Sequence, residues 1–440
     1  MSPDRPKSKK LFQEEQEVLA PGIQSIALYS QLVLDHGKGA QVFDVDDNRY
    51  IDFIAGVSVG SLGHCHPRYA KALQQQLEKI TFGSFATANR IQFLKLLSSL
   101  LPGKLRKTQL YSGGAEAVES ALRLAKSHTK KYEVVAFWGG FHGKTGGVLS
   151  LLGDSFKFKL GPLASGTYLT PYAHCYRCPF KMTFPSCNFH CVDHIRKKIR
   201  HETTGEISAI IVEPIQGTAG NVVPPPGYLK ALQEVAQENG ALLIADEMIT
   251  GFGRTGKMFG FQHDGIVPDI VTIGKGMGSG FPVSGLISTD EIMASKPFSN
   301  PSYSSSSYGG NPLASAAAYV TLQTILDEKL IENSEKLGAW MLEELKGWKD
   351  RFSFIGDVRG RGLLIGVELV RDKQTQEPLS SKAGRFLFEQ ALERGLLMMV
   401  SASTVRINPP LVLDKATAQE GLKIMKEVFE LFEKTEGFKN

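Results

Sequence analysis

The feature that most constrains this chain is a set of short, continuous, mostly apolar runs separated by helical stretches. They are Glu133-Val-Val-Ala-Phe, Ile207-Ser-Ala-Ile-Ile-Val-Glu, Ala241-Leu-Leu-Ile-Ala-Asp-Glu and Ile270-Val-Thr-Ile. A run that stays apolar over successive residues fits a strand buried on both faces, whereas a strand with one wet face alternates. Between them lie stretches such as Leu122-Arg-Leu-Ala-Lys with helical periodicity. Strand and helix in alternation, beginning near Pro67, predict an α/β architecture with a mostly parallel sheet covered by helices.

The ends of the chain read differently. From Gln41 to Ile54 the sequence alternates apolar and polar residues around Asp46-Asp47-Asn48, which predicts a β-hairpin. After Pro312 comes Leu-Ala-Ser-Ala-Ala-Ala-Tyr-Val, a long helix, followed by Gly362-Leu-Leu-Ile-Gly-Val-Glu-Leu-Val as a strand and by amphipathic helices up to Leu431. At 440 residues the chain exceeds what one core usually serves. The expected division is a loosely ordered tail over 1–20, the N-terminal part of a small domain over 21–66, a large domain over 67–320 and a C-terminal α+β segment over 321–440.

Composition excludes more than it identifies. A formal charge of +5, spread over the chain, gives no reason to invoke nucleic acid, and no apolar run approaches a membrane span. The first ten residues lack the apolar stretch of a secretory signal. Five cysteines, an odd count, argue for a reducing compartment, with the cytoplasm as the expected location.

Candidate chemistry sits where apolar strands end. Lys275 follows Ile270–Ile273 and precedes glycines 276, 278 and 280, so little bulk surrounds its amine. Burial there disfavours the ammonium and frees the lone pair to attack an aldehyde. A surface lysine in a glycine-rich loop is the competing reading. Some thirty residues upstream, Asp246 closes an apolar strand and needs a cationic partner, either a nearby arginine or the protonated ring nitrogen of pyridoxal phosphate (PLP). Gly113 and Gly114 precede a helix whose N-terminal N–H groups suit a phosphate, although two glycines before a helix are also ordinary punctuation. Taken together the three segments describe a PLP site.

The chain resembles the class III (ω-type) aminotransferases of PLP fold type I, the branch that includes 4-aminobutyrate and ornithine aminotransferases. The resemblance runs from about Ile23 to the C-terminus. It is carried by GHCHP (63–67), SGGAEAVE (112–119), FHG (141–143), EPIQG (213–217), ADEMITGFGRTG (245–256), GKGMGSGFP (274–282), SYGGNPLA (307–314), RGRGLLIGVE (359–368) and RINPPL (406–411).

The resemblance implies a large domain with a mostly parallel sheet flanked by helices, and a smaller α+β domain built from both chain ends. It makes Lys275 the Schiff-base and proton-transfer residue and pairs Asp246 with the pyridine nitrogen. Phe141 would stack on the cofactor ring, His142 would shape that stack, and Met248 would contact the ring. Gly113, Gly114 and Ala115 would hold the phosphate, with Ser307 of a neighbouring subunit, which implies a homodimer. Arg406 matches an arginine that binds a substrate carboxylate through its two-pronged donor geometry. Glu213 matches the glutamate that pairs with that arginine when no α-carboxylate needs it; a strand-end carboxylate with other partners is the alternative. Gln216, Val57, Ser58 and Gln24 would line the substrate site.

The implied reaction is amino transfer from an ω-amino acid such as 4-aminobutyrate to 2-oxoglutarate or pyruvate, with an amino-acid racemase on the same fold as the alternative. Two departures stand out. Isoleucine at 249 replaces a glutamine that many members direct at the cofactor's 3′ oxygen, and glycine at 113 replaces a common serine.

One motif falls outside this site. Cys175, Cys178, Cys187 and Cys191 form a Cys-x2-Cys-x8-Cys-x3-Cys pattern with His174, His190 and His194 nearby. Thiolates at this spacing suit zinc or an iron–sulfur cluster, while an unliganded insertion near a dimer interface is the other reading; no metal is assigned to the site.

Overall fold

The computed structural model describes residues 4–435. They form two compact units, one of residues 4–67 with 332–435 and one of Arg68–Ile331.

The second unit is built on a seven-stranded sheet. Its strands run, from one edge to the other, Lys107–Tyr111, Ser284–Ser288, Ile270–Ile273, Leu242–Asp246, Ile207–Val212, Glu133–Phe137 and Thr167–Thr170. Pairings from Ile270–Ile273 through Thr167–Thr170 are all parallel. Only Ser284–Ser288 runs antiparallel to both of its neighbours. The apolar runs that predicted central strands are buried throughout, as strands covered by helices on both faces must be. The helix Gly114–Thr129 supplies Ala117, Val118, Ala121, Leu124 and Ala125 to the core over this sheet.

The first unit joins both chain ends. Gln41–Asp44 and Arg49–Asp52 form the expected hairpin, and Leu396–Leu397 adds to it in parallel from more than three hundred residues away. A separate antiparallel sheet orders Ile355–Arg361, Leu364–Leu369, Thr404–Ile407 and Met399–Ser401.

Two expectations change. The N-terminal tail is not loosely ordered over its length: Pro6–Val18 is a helix. Its first turn is capped from a distance, because the Asp46 carboxylate in the hairpin turn accepts from Lys7 N at 3.0 Å and Ser8 N at 2.8 Å, and Phe12 is buried. The polar composition of this stretch concealed a cap supplied by another element. Residues 1–3 of that tail, and the last five of the C-terminal segment, lie outside the described residues. The boundary expected after residue 320 falls at Ile331 instead. The helix Pro312–Asp327 stays with the large unit, where Ala314, Ala316, Ala317, Ala318, Leu322 and Ile325 are all buried.

Candidate active site

The residues singled out in the large unit converge because each stands just past the carboxyl end of a strand in one sheet. Glu213 follows Ile207–Val212, Asp246 ends Leu242–Asp246, Lys275 follows Ile270–Ile273 after one glycine, and Gly113 follows Lys107–Tyr111 after one serine. Open α/β sheets bind ligands at that edge.

Asp246 is 1% exposed and fully engaged. Its Oδ2 lies 2.7 Å from His142 Nδ1, and its Oδ1 accepts from Thr272 Oγ1 at 2.9 Å and from Met248 N at 3.1 Å. Burial by itself depresses the imidazolium of His142. The hydrogen bond and charge of Asp246, aided by Glu213, outweigh burial and carry the His142 pKa above its ordinary value. Thr272 is a participant that reading the sequence missed; its signal is a lone hydroxyl inside an otherwise apolar strand.

Glu213 is equally constrained. It accepts from Phe141 N at 2.9 Å and Gly217 N at 3.0 Å. Burial raises its pKa despite those donors and the charge of His142. Phe141 is thereby fixed through its backbone, and its half-buried ring meets Phe156 edge-on at 5.6 Å, with the Lys144 ammonium 5.9 Å from its centre. Gln216 turns inward: its amide donates to the Trp138 carbonyl at 2.9 Å and the residue is 2% exposed.

Lys275 is half-buried with φ +43, a left-handed conformation that a lysine adopts only where its surroundings impose it. Glycine at 274 leaves room for Met248, since a Cβ there would meet Met248 Sδ at 2.7 Å and force that side chain to shift. A Cβ at Gly114 would press on the same sulfur at 3.2 Å. Met248 thus lies between the lysine turn and the start of the helix Gly114–Thr129.

The N–H groups of Gly114 and Ala115 occupy the first two positions of that helix, where no intrahelical acceptor exists. The Glu116 carboxylate reaches back to Ser112 N at 3.2 Å, and Ser284 Oγ donates to the Gly113 carbonyl at 2.8 Å, which holds the turn in place. Ile249 is buried with its Cδ1 against Gly217, where a Cβ would come within 2.6 Å. The missing glutamine is therefore replaced by packing. Ser307 is exposed.

A buried carboxylate backed by a raised imidazole, a lysine on a strained turn, a glycine cradle and a helix start with open amides fit PLP. The sequence pattern of class-III aminotransferases matches residues 26–429. The chain belongs to the class-III aminotransferase family. Its cofactor is pyridoxal phosphate.

A leucine/methionine racemase of Thermococcus litoralis is 36% identical over 90% of this chain and 89% of its own length. A probable 4-aminobutyrate aminotransferase of Bacillus subtilis is 32% identical over 89% of this chain and 91% of its own. An amine transaminase from an uncultivated Pseudomonas species, solved with PLP bound, superposes with a TM-score of 0.88 at 29% identity, covering 94% of this chain and 98% of that one. Family membership thus rests on most of the chain, residues 26–429.

Two further candidates, Arg406 and Val57, belong to the first unit. Arg406 lies in Thr404–Ile407, is 4% exposed, and has Nη1 3.3 Å from Met399 Sδ. Val57 lies in a left-handed turn and leans on a small core of Tyr50, Ile54 and Phe388.

The four cysteines of the insertion line one small cavity of about 20 Å³, together with Tyr172, Phe180 and Phe189. All four thiols are free. Burial and neighbouring thiols push Cys175 up, and Cys191 up to about 11. No group of three or more His, Cys, Asp or Glu side chains among the described residues is arranged to hold a metal ion.

No helix among the described residues is long and apolar enough to cross a membrane.

Proposed function

We propose that this enzyme moves the amino group of an ω-amino acid, such as 4-aminobutyrate, to a keto acid, 2-oxoglutarate or pyruvate, in a ping-pong cycle. The observation that carries the reading is Glu213, a buried carboxylate held by two backbone N–H groups beside His142. Glu213 matches the glutamate by which 4-aminobutyrate-type members of the family accept a donor that brings no α-carboxylate.

PLP, when bound, supplies an aldehyde that captures amines and a ring that accepts the electron pair left when Cα–H breaks. The protein's own groups do the rest. Lys275 holds and returns the proton at its Nζ, aimed by its left-handed turn. Asp246 would present its carboxylate to a protonated ring nitrogen, and His142, 2.7 Å from that carboxylate, keeps it oriented. Gly113, Gly114 and Ala115 bind the phosphate through backbone N–H groups, Met248 and Phe141 enclose the ring, and Ser307 of a second copy completes the phosphate site. Gln216 supports this set through Trp138.

A racemase is the second reading, favoured by the similarity to leucine/methionine and alanine/serine racemases. Incubating the loaded enzyme with one amino-acid enantiomer and no keto acid separates the two. A single conversion to pyridoxamine phosphate supports amino transfer; continuing inversion at Cα supports racemisation. A panel of amino donors against both keto acids then identifies the substrate.

A further inference from the structure

The turn that carries Lys275 is strained at more than one point. Lys275 has φ +43, Ser279 has φ +44, and Gly280 follows at +106. The first two carry a Cβ, and left-handed backbone in such residues persists only where its surroundings over-determine it. Between them runs the short 3₁₀ turn Lys275–Met277. It is closed by Met277 N donating to the Gly274 carbonyl at 3.1 Å and by Gly278 N donating to the Lys275 carbonyl at 3.0 Å. Gly278 ends the turn in a tight space, since a Cβ there would meet the Phe281 carbonyl at 2.2 Å and Val283 Cγ1 at 2.7 Å.

A side chain from a distant helix of the same unit fastens this turn. Tyr69, near the start of the helix Pro67–Leu77, donates its phenol O–H to the Gly278 carbonyl at 2.7 Å, across 209 positions of sequence. Gly278 is thus held through both of its backbone groups, the N–H on Lys275 and the carbonyl on Tyr69. Phe281 N also donates to that carbonyl, at 3.0 Å. Burial pushes the Tyr69 phenol up to about 12 although the Phe281 N–H opposes it, so the hydroxyl keeps its proton, and its role as donor, well past neutral pH. The phenol therefore reaches Lys275 through one intervening residue.

We propose that Tyr69 is a positioning residue for Lys275: by fixing Gly278 it holds the 275–278 turn in the conformation that presents the lysine at the carboxyl edge of the sheet. The inference rests on the reading of Lys275 as the cofactor-bearing and proton-transfer residue. Loss of one neutral hydrogen bond leaves the lysine in place but loosens its aim.

The test compares full-length Tyr69→Phe, which keeps the ring and deletes the donor, with the parent. In the cofactor-free protein, hydrogen exchange of the amides from Met277 to Phe281 is expected to quicken about five- to tenfold, the bias that one buried neutral hydrogen bond places on a local equilibrium. In the loaded enzyme, the pH midpoint of the lysine-bound cofactor's absorption is expected to move by about half a unit to one unit, the same bias acting on the group that titrates. With 4-aminobutyrate, β-alanine and L-alanine as donors, kcat and kcat/KM fall together by about five- to tenfold for each donor the parent turns over, because the group displaced acts in the transition state. Unchanged exchange at the turn, an unmoved absorption midpoint, a parental kcat, a rise confined to KM, or a variant that does not fold each overturns the proposal. Borohydride reduction of the loaded parent, followed by peptide mapping, tests the underlying reading separately: cofactor fixed to Lys275 supports it, and cofactor fixed to another lysine overturns it whatever the Tyr69 variant does.

Discussion

At the scale of single residues the site depends on groups placed against their intrinsic preferences. Lys275 takes a left-handed conformation, and Asp246 sits in the sheet core in contact with His142, Thr272 and Met248 N. Lys275→Ala is expected to fold and bind PLP, to lack the absorption band of lysine-bound cofactor, and to lose turnover by about a thousandfold or more, as removal of a proton-transfer group does. Steady-state kinetics with an absorption spectrum checks this, and turnover near the parent rate would sink the assignment.

Glu247, next to Asp246, offers a test through pH. It is fully buried, and burial pushes its pKa up from 4.5 to about 7 although Thr250 Oγ1, Gly260 N and Phe261 N donate to it. Between those values the folded protein retains a proton that the unfolded chain has released. Stability therefore falls as pH rises through that window, by up to about 3 kcal/mol above it. Urea midpoints at pH 5 and pH 8 measure the fall, and Glu247→Gln should flatten it whatever its effect on absolute stability.

Among elements, the helix Pro6–Val18 shows how little local composition says about a segment capped from elsewhere. Lys7 N and Ser8 N donate to Asp46, which lies in the turn of the hairpin. Burial is the largest single influence on Asp46 and opposes its ionisation, but the donors of Ser8 and Lys7, with the Lys7 charge, together hold its pKa below 3.8. The cap is thus present above the ordinary aspartate range and is lost only as pH falls through the depressed value. Asp46→Ala is expected to free the N-terminal turn: limited proteolysis should cut within residues 4–18 several-fold faster, as opening of a weakly held terminus predicts. Hydrogen exchange of the sheet strands should stay unchanged. Equal acceleration everywhere would mean that Asp46 supports more than this helix.

For the molecule as a whole, the large unit displays Ile80, Phe82, Phe85, Tyr303 and Tyr308 at 52%, 76%, 85%, 61% and 71% exposure. Exposed apolar side chains of this kind are what pairing of two copies would cover. With Ser307 exposed beside Tyr308, they support the proposed pairing of two copies. Phe85→Asp combined with Tyr308→Asp is expected to shift sedimentation from dimer to monomer and to weaken PLP retention at least tenfold, in line with the cost of opening an interface hot spot. A dimer that survives both changes would point to a different surface.

The sequence by itself determined the parallel sheet and the hairpin and pointed to Lys275, Asp246 and the Gly113-Gly114 start, because each is written in a contiguous stretch of apolar period or glycine placement, whereas His142 and Glu213 came from the family resemblance. Tertiary structure alone decided the Asp46 cap, the Thr272 and Met248 contacts to Asp246, the inward turn of Gln216, the boundary at Ile331 and the Tyr69–Gly278 hydrogen bond. Each of these joins residues on different elements or sets a side chain's direction. Periodicity reports which face of one segment is buried, and carries no record of which distant polar atom meets it there.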